Sequence, residues 1–150
     1  MPTRRRFLLS CTALTGGVLL ASTATAQQNS PQRAALLREI TGGAPINAGR
    51  VTVDTPPLAD NGHSVPVRVI VDSPMTANSH VRSITLLAER NPRPVVASFM
   101  LGPHSGKAEI ATRIRLADIQ DVLALAQLSD DSWWIGGAHV IVTELACLEG

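Results

Sequence analysis

Four kinds of residue in this chain could do chemistry on their own: cysteine, histidine, a pair of aspartates and a pair of tryptophans. Cys11 and Cys147 are the two cysteines, and His63, His80, His104 and His139 the four histidines. The histidines are scattered among turns and strand ends, without the H-x-x-x-H spacing that places two imidazoles on one metal. A blue-copper site would want a histidine and a weak axial ligand soon after its cysteine, and only three residues follow Cys147. No metal is expected. Asp130-Asp131 sits between two β-patterned stretches, where aspartate bonds its own backbone to make a turn, so a turn is expected there before an acid–base pair. There is no glycine-rich phosphate loop, no G-x-S-x-G elbow and no Ser/His/Asp arrangement. Neither a cofactor nor catalysis by the chain itself is expected. Trp133-Trp134 reads differently. Neighbours on a strand face opposite sides, so one ring enters the core and the other is a candidate anchor for a partner.

Cys147 carries the sharpest expectation. Chain ends fray, so a thiol three residues from the last residue has little chance to pack as a core side chain. As a thiolate it can hold a small group covalently while other proteins work on it. From Glu144 the extended chain would carry Cys147 roughly 10 Å outward. The setting does not activate the sulfur, because Glu144, Glu149 and the terminal carboxylate disfavour the thiolate. The basic pocket of a partner would have to restore it. The competing reading is an interaction subunit whose cysteine is vestigial or forms an intermolecular disulfide.

The elements that must position this thiol begin with an address label. Residues 1–26 have a basic start (Arg4, Arg5, Arg6), an apolar run to about Ala21 and a small-residue site, Ala24-Thr25-Ala26. Thr3-Arg4-Arg5-Arg6-Phe7-Leu8 fits the twin-arginine export pattern, which predicts a periplasmic protein. Cleavage after Ala26 removes Cys11 and leaves Cys147 as the sole thiol, so no internal disulfide. Three arginines taken from 13 basic residues leave ten against 12 acidic ones, a net charge of −2. That balance, without basic clusters interleaved with aromatics, argues against nucleic acid. No later apolar run is long enough to span a bilayer.

Residues 27–44 read as a short helix with its linker. Ser30 suits an N-cap and Pro31 the first helical position, Leu36, Leu37 and Ile40 share a face, and Gly42-Gly43 supplies the stop. From Arg50 the period changes to two. Strands are expected at 50–54, 65–71, 80–88, 95–101, 107–116 and 133–145, while 121–128 fits helix or strand. Asp60-Asn61-Gly62 marks a hairpin-type turn through positive φ, and Pro66 argues for an edge position or an irregular start. About seven short strands with no helices between them predict an all-β, antiparallel, immunoglobulin-like sandwich over 45–144, with an arm over 145–150 that ends the chain.

The stretches "DNGHSVPVRVIVDSPMT", "AERNPRPVVASFML", "TRIRLA" and "LSDDSWW", followed by "VIVTELACLEG", resemble the SoxY family of periplasmic sulfur carriers. The likeness runs from about Ala34 to the end. It implies an immunoglobulin-like sandwich paired with a SoxZ-like subunit. It also implies that Cys147, on a C-terminal arm, holds intermediates of thiosulfate oxidation for sulfur-oxidising periplasmic enzymes. The departure is local: where SoxY arms end in Gly-Gly-Cys-Gly-Gly, this chain has Leu145-Ala146-Cys147-Leu148-Glu149. This resembles a SoxY-related subgroup with an Ala-Ala-Cys-Ile-Glu pattern. Bulkier residues beside the sulfur imply a wider or differently charged client pocket.

Overall fold

The structure is a computed structural model, and it describes residues 30–146; the segment expected to direct export and Cys147 lie outside the described residues. One helix precedes nine strands: α1 (Pro31–Thr41), β1 (Ile46–Ala48), β2 (Val51–Asp54), β3 (Leu58–Ala59), β4 (Val65–Val71), β5 (Val81–Ala88), β6 (Val95–Met100), β7 (Glu109–Ile114), β8 (Gln120–Leu128) and β9 (Trp133–Val142). A 3-10 turn, Pro103–Ser105, lies between β6 and β7. No helix among the described residues is long and apolar enough to cross a membrane.

The strands form two sheets packed face to face. One runs β1-β9-β8-β5-β6, with β3 also beside β9; the other runs β2-β4-β7. The core between them is aliphatic, as expected of a chain with two Phe and no Tyr. Val65, Val67, Val69 and Val71 of β4 face Ile84, Leu86, Val122, Ala124 and Val140, all buried. The alternation along β4 is regular, and Arg68 and Ile70 point away from the core. The 121–128 stretch, open between helix and strand in sequence, is strand β8. It lies in the middle of the larger sheet, and its alternation is hidden because both of its faces are buried.

The outer face of that sheet explains the helix. Leu87, Leu123 and Leu125 are buried there, outside the inter-sheet core. On this side α1 places Arg33, Leu36, Leu37, Ile40 and Thr41 inward, the 3–4 spacing of one helical face. Leu37 lines a cleft with Ile46, Leu123 and Ile135. The Ser30 hydroxyl accepts from Arg33 N–H at 3.1 Å, and Gly42 closes the helix in the left-handed region at φ 65°. Arg33 is buried and joins the helix to the sheet: its guanidinium bonds Glu89 at 2.7 and 3.0 Å and Asp121 at 2.9 Å.

Two features depart from the sequence reading. The β1–β9 and β3–β9 pairings are parallel, in a fold expected to be antiparallel throughout. Strands of three and two residues are too short to show a period, so neither was visible in sequence. Pro66 lies in the middle strand of the smaller sheet, yet locally its nitrogen is at an edge. Val71 N–H donates to Ala108 O, so Val69, Val67 and Val65 also turn toward β7 and Pro66 turns the other way. On that side β2 reaches only as far as Arg68. The missing donor costs no ladder bond.

Candidate functional site

The chain leaves the sandwich toward Cys147 through a segment that remains tied to the body. Ile141 N–H donates to Pro57 O at 2.9 Å, and Thr143 N–H donates to Ala59 O at 3.1 Å. The Thr143 hydroxyl reaches Asp60 O at 2.9 Å. Beyond the last strand residue, three chain segments close a ring of backbone bonds. Gly62 N–H donates to Glu144 O (2.6 Å), Leu116 N–H to Gly62 O (2.9 Å), and Ala146 N–H to Leu116 O (3.1 Å). Ala146 is buried at 5% exposure while Leu145 points out to solvent. Leu145 and Ala146, the first residues of the arm read from sequence, are therefore held against the fold. Only one peptide unit separates the last tied residue from the sulfur-bearing one.

Gly62 makes the ring possible. A Cβ there would stand 2.6 Å from Leu116 O and 2.9 Å from both Glu144 O and Ala146 N, all backbone atoms that cannot swing aside. The expectation of a hairpin glycine in the left-handed region is corrected on both counts. Gly62 is not among the positive-φ glycines, and the turn it occupies joins β3 to β4, which belong to different sheets. The turn itself is real, with Asn61 Oδ1 accepting from His63 N–H at 2.7 Å. Glycine is required here by close approach of three backbones.

The third side of the ring is braced from beneath. Leu116 is fully buried. Its two neighbours are held by one amide: Asn91 Nδ2 donates to Arg115 O at 2.8 Å, and Asn91 Oδ1 accepts from Ala117 N–H at 3.0 Å. Gln120 Nε2 donates to the same Oδ1 at 3.0 Å, and Gln120 Oε1 accepts from Arg90 N–H at 2.9 Å. Asn91 and Gln120 are both buried and fully engaged. A buried amide with matched partners on each atom fixes a loop as firmly as a strand would. In sequence Asn91 read only as part of the turn Arg90-Asn91-Pro92, since nothing in its local pattern shows a partner 24 residues away. Gly62, Asn91 and Gln120 are the site residues that sequence reasoning missed.

The two tryptophans separate by strand parity. Trp134 packs against the core, its Nε1 donates to Ser132 Oγ at 3.0 Å, and the Arg50 guanidinium lies 4.8 Å above its ring centre. Trp133 takes the opposite face of β9 and is half-buried; its carbonyl accepts from Asn47 Nδ2 at 3.2 Å. Neither ring is at the arm root.

Asp130 and Asp131 are spent on the turn before β9. Asp130 Oδ1 accepts from Ser132 N–H at 3.0 Å and Ser132 Oγ at 2.6 Å, and these bonds lower its pKa. Asp131, at φ 64°, pairs with Arg82. Among the histidines, His80 Nδ1 contacts Thr76 O at 3.1 Å and His139 Nδ1 contacts Asp121 at 2.7 Å, while His63 and His104 are exposed. Among the described residues no group of three or more His, Cys, Asp or Glu side chains is placed to hold a metal ion.

The family described as sulfur oxidation protein SoxY matches residues 37–147, a span that ends on the cysteine. Among solved structures, the sulfur carrier protein SoxY from Chlorobium limicola f thiosulfatophilum superposes with a TM-score of 0.63 at 24% identity, covering 75% of this chain and 97% of that one. A superoxide reductase (neelaredoxin) from Ignicoccus hospitalis gives 0.57 at 16%, covering 65% and 94%. A superoxide reductase-like protein from Thermotoga maritima gives 0.56 at 18%, covering 66% and 95%. At these identities the structural likenesses speak for the fold, an immunoglobulin-like β-sandwich. No curated protein matches the chain.

Proposed function

We propose that this chain, which belongs to the SoxY family, is an exported sulfur carrier that holds its cargo covalently on Cys147. The observation that carries the reading is the extent of the family match. The family match runs to residue 147, and that residue is the one cysteine of the sequence outside the segment expected to be removed on export. The sandwich contributes a rigid mount. Its ring of backbone bonds brings the chain to the edge of the fold and stops one residue short of the sulfur.

In this reading Cys147 is the attachment point, and the chemistry on the cargo belongs to periplasmic sulfur-oxidising enzymes. A SoxZ-like subunit is the expected second half of the carrier. Trp133, on the outer face of β9, is the tryptophan available to such a partner, since Trp134 is engaged by the core and Arg50. Mass spectrometry of protein purified without reductant from cells oxidising reduced sulfur tests the proposal. Mass additions confined to the Cys147 peptide and lost in Cys147→Ser support it. An unmodified thiol, or nothing but a disulfide-linked dimer, refutes it. Co-purification of a second sandwich subunit from periplasm tests the pairing separately.

A further inference from the structure

We infer that Gly62, Leu116 and Asn91 are positioning residues for the carrier thiol: they clamp the arm at Glu144 and Ala146, so that Cys147 works on a tether of one residue. The inference rests on Cys147 being the attachment point. A free arm starting after Val142 would give Cys147 about 17 Å of reach, five residues of extended chain. With Ala146 N–H bonded to Leu116 O, the reach beyond the clamp is a single residue, about 3.5 Å before the side chain begins.

Three observations show the clamp to be built into the fold. The bonds form a closed ring through three segments distant in sequence. Gly62 is buried at a point where any side chain would strike the other two segments. The Leu116 carbonyl that receives the arm is set in place from both flanks by the buried Asn91 amide. The arm's own residues agree with this. Leu145 and Ala146 restrict the backbone where glycines would favour fraying, and the Ala146 methyl is buried. Such a carrier delivers its cargo by bringing the end of the sandwich up to the client. The client's reacting centre must then be shallow and open, because the chain that precedes the sulfur is broad and held to its own fold.

Native-state hydrogen exchange and thiol alkylation on the full mature chain test the clamp together. The Ala146 amide is expected to exchange roughly 10- to 100-fold more slowly than an unprotected amide, the range set by a pair of net hydrogen bonds. Leu145→Gly with Ala146→Gly, which changes no strand residue, should lower the protection of the residue 146 amide by about tenfold. It should also raise labelling of Cys147 by a bulky polymer-linked maleimide relative to iodoacetamide. Gly62→Ala should do the same through the other side of the ring. An Ala146 amide that exchanges at the unprotected rate in the parent, or a labelling ratio unchanged in both variants, overturns the inference. Cargo mass on Cys147 is read in the same samples. A protected Ala146 with no cargo under sulfur-oxidising growth would sustain the clamp and sink the carrier reading alone.

Discussion

Replacing Arg33 by methionine should unfasten the helix from the sandwich, and the size of the loss follows from the burial of the groups left behind. The Arg33 side chain is 7% exposed, and its partners Glu89 and Asp121 are 16% and 22% exposed. Methionine keeps the apolar stem and removes the charge, leaving Glu89 with Ser30 and Asp121 with His139 as hydrogen-bond partners. Breaking a buried pair costs about 3–5 kcal/mol. The carboxylates here retain some water, which brings the expected loss to about 2–4 kcal/mol. For a chain of this length that corresponds to a Tm lower by roughly 10 °C. The loss should also depend on pH. The hydrogen bond from Arg33 holds the Glu89 carboxyl below its usual range, outweighing burial. Burial pushes Asp121 up, but bonds from Arg33 and His139 together take it below the usual range as well. Depressed carboxyl pKa values stabilise the fold above about pH 4.5, where the unfolded chain is already ionised, and the stabilisation fades as pH falls through the lowered folded-state values. The gap in Tm between parent and Arg33→Met should therefore be widest at neutral pH and shrink toward pH 3. Thermal unfolding followed by circular dichroism at pH 7 and pH 3 measures both. A variant melting within 2 °C of the parent at pH 7, or a gap equal at the two pH values, would refute the reasoning.

Other substitutions separate packing from function. Gly136→Ala should be severe, about 2–4 kcal/mol, because its Cβ would stand 2.2 Å from Val51 O and 2.9 Å from Val51 C, where β2 crosses β9. Gly137→Ala meets Leu123 Cδ2 at 2.6 Å, the movable end of a side chain, and the Val122 carbonyl oxygen at 3.3 Å, and should cost less than Gly136→Ala, about 1–2 kcal/mol by urea denaturation. Asn91→Leu should destabilise by about 2–3 kcal/mol, since the Arg115 carbonyl and the Ala117 amide lose their partner together. Trp134→Ala should lower Tm strongly with Trp133→Ala milder. Retention of a co-purifying subunit by Trp133→Ala would remove Trp133 from the partner surface.

Much of this architecture can be read from local pattern. The period-2 run from Val65 to Val71 needs one face inside and one out wherever the strand sits, and that is how it packs. Ser30-Pro31 and Gly42 delimit a helix through backbone preferences that act within a single turn. Cys147 near the end of the sequence given is legible without a structure, and so is the family likeness that reaches it. The tertiary structure alone decided how Glu144 and Ala146, which lead to it, are held. A glycine in an Asn-Gly pair looks like a hairpin turn, and only the approach of Leu116, Glu144 and Ala146 shows that its missing side chain is room for two other backbones. Asn91 looks like a turn residue until its amide is found spanning Arg115 to Ala117. The parallel pairings of β1 and β3 with β9 leave no trace in segments of two or three residues. Local pattern records forces between neighbours along the chain. The ring that ties Glu144 and Ala146 to Gly62 and Leu116 is made by contacts whose members are tens of residues apart, and these exist only once the sheets have met.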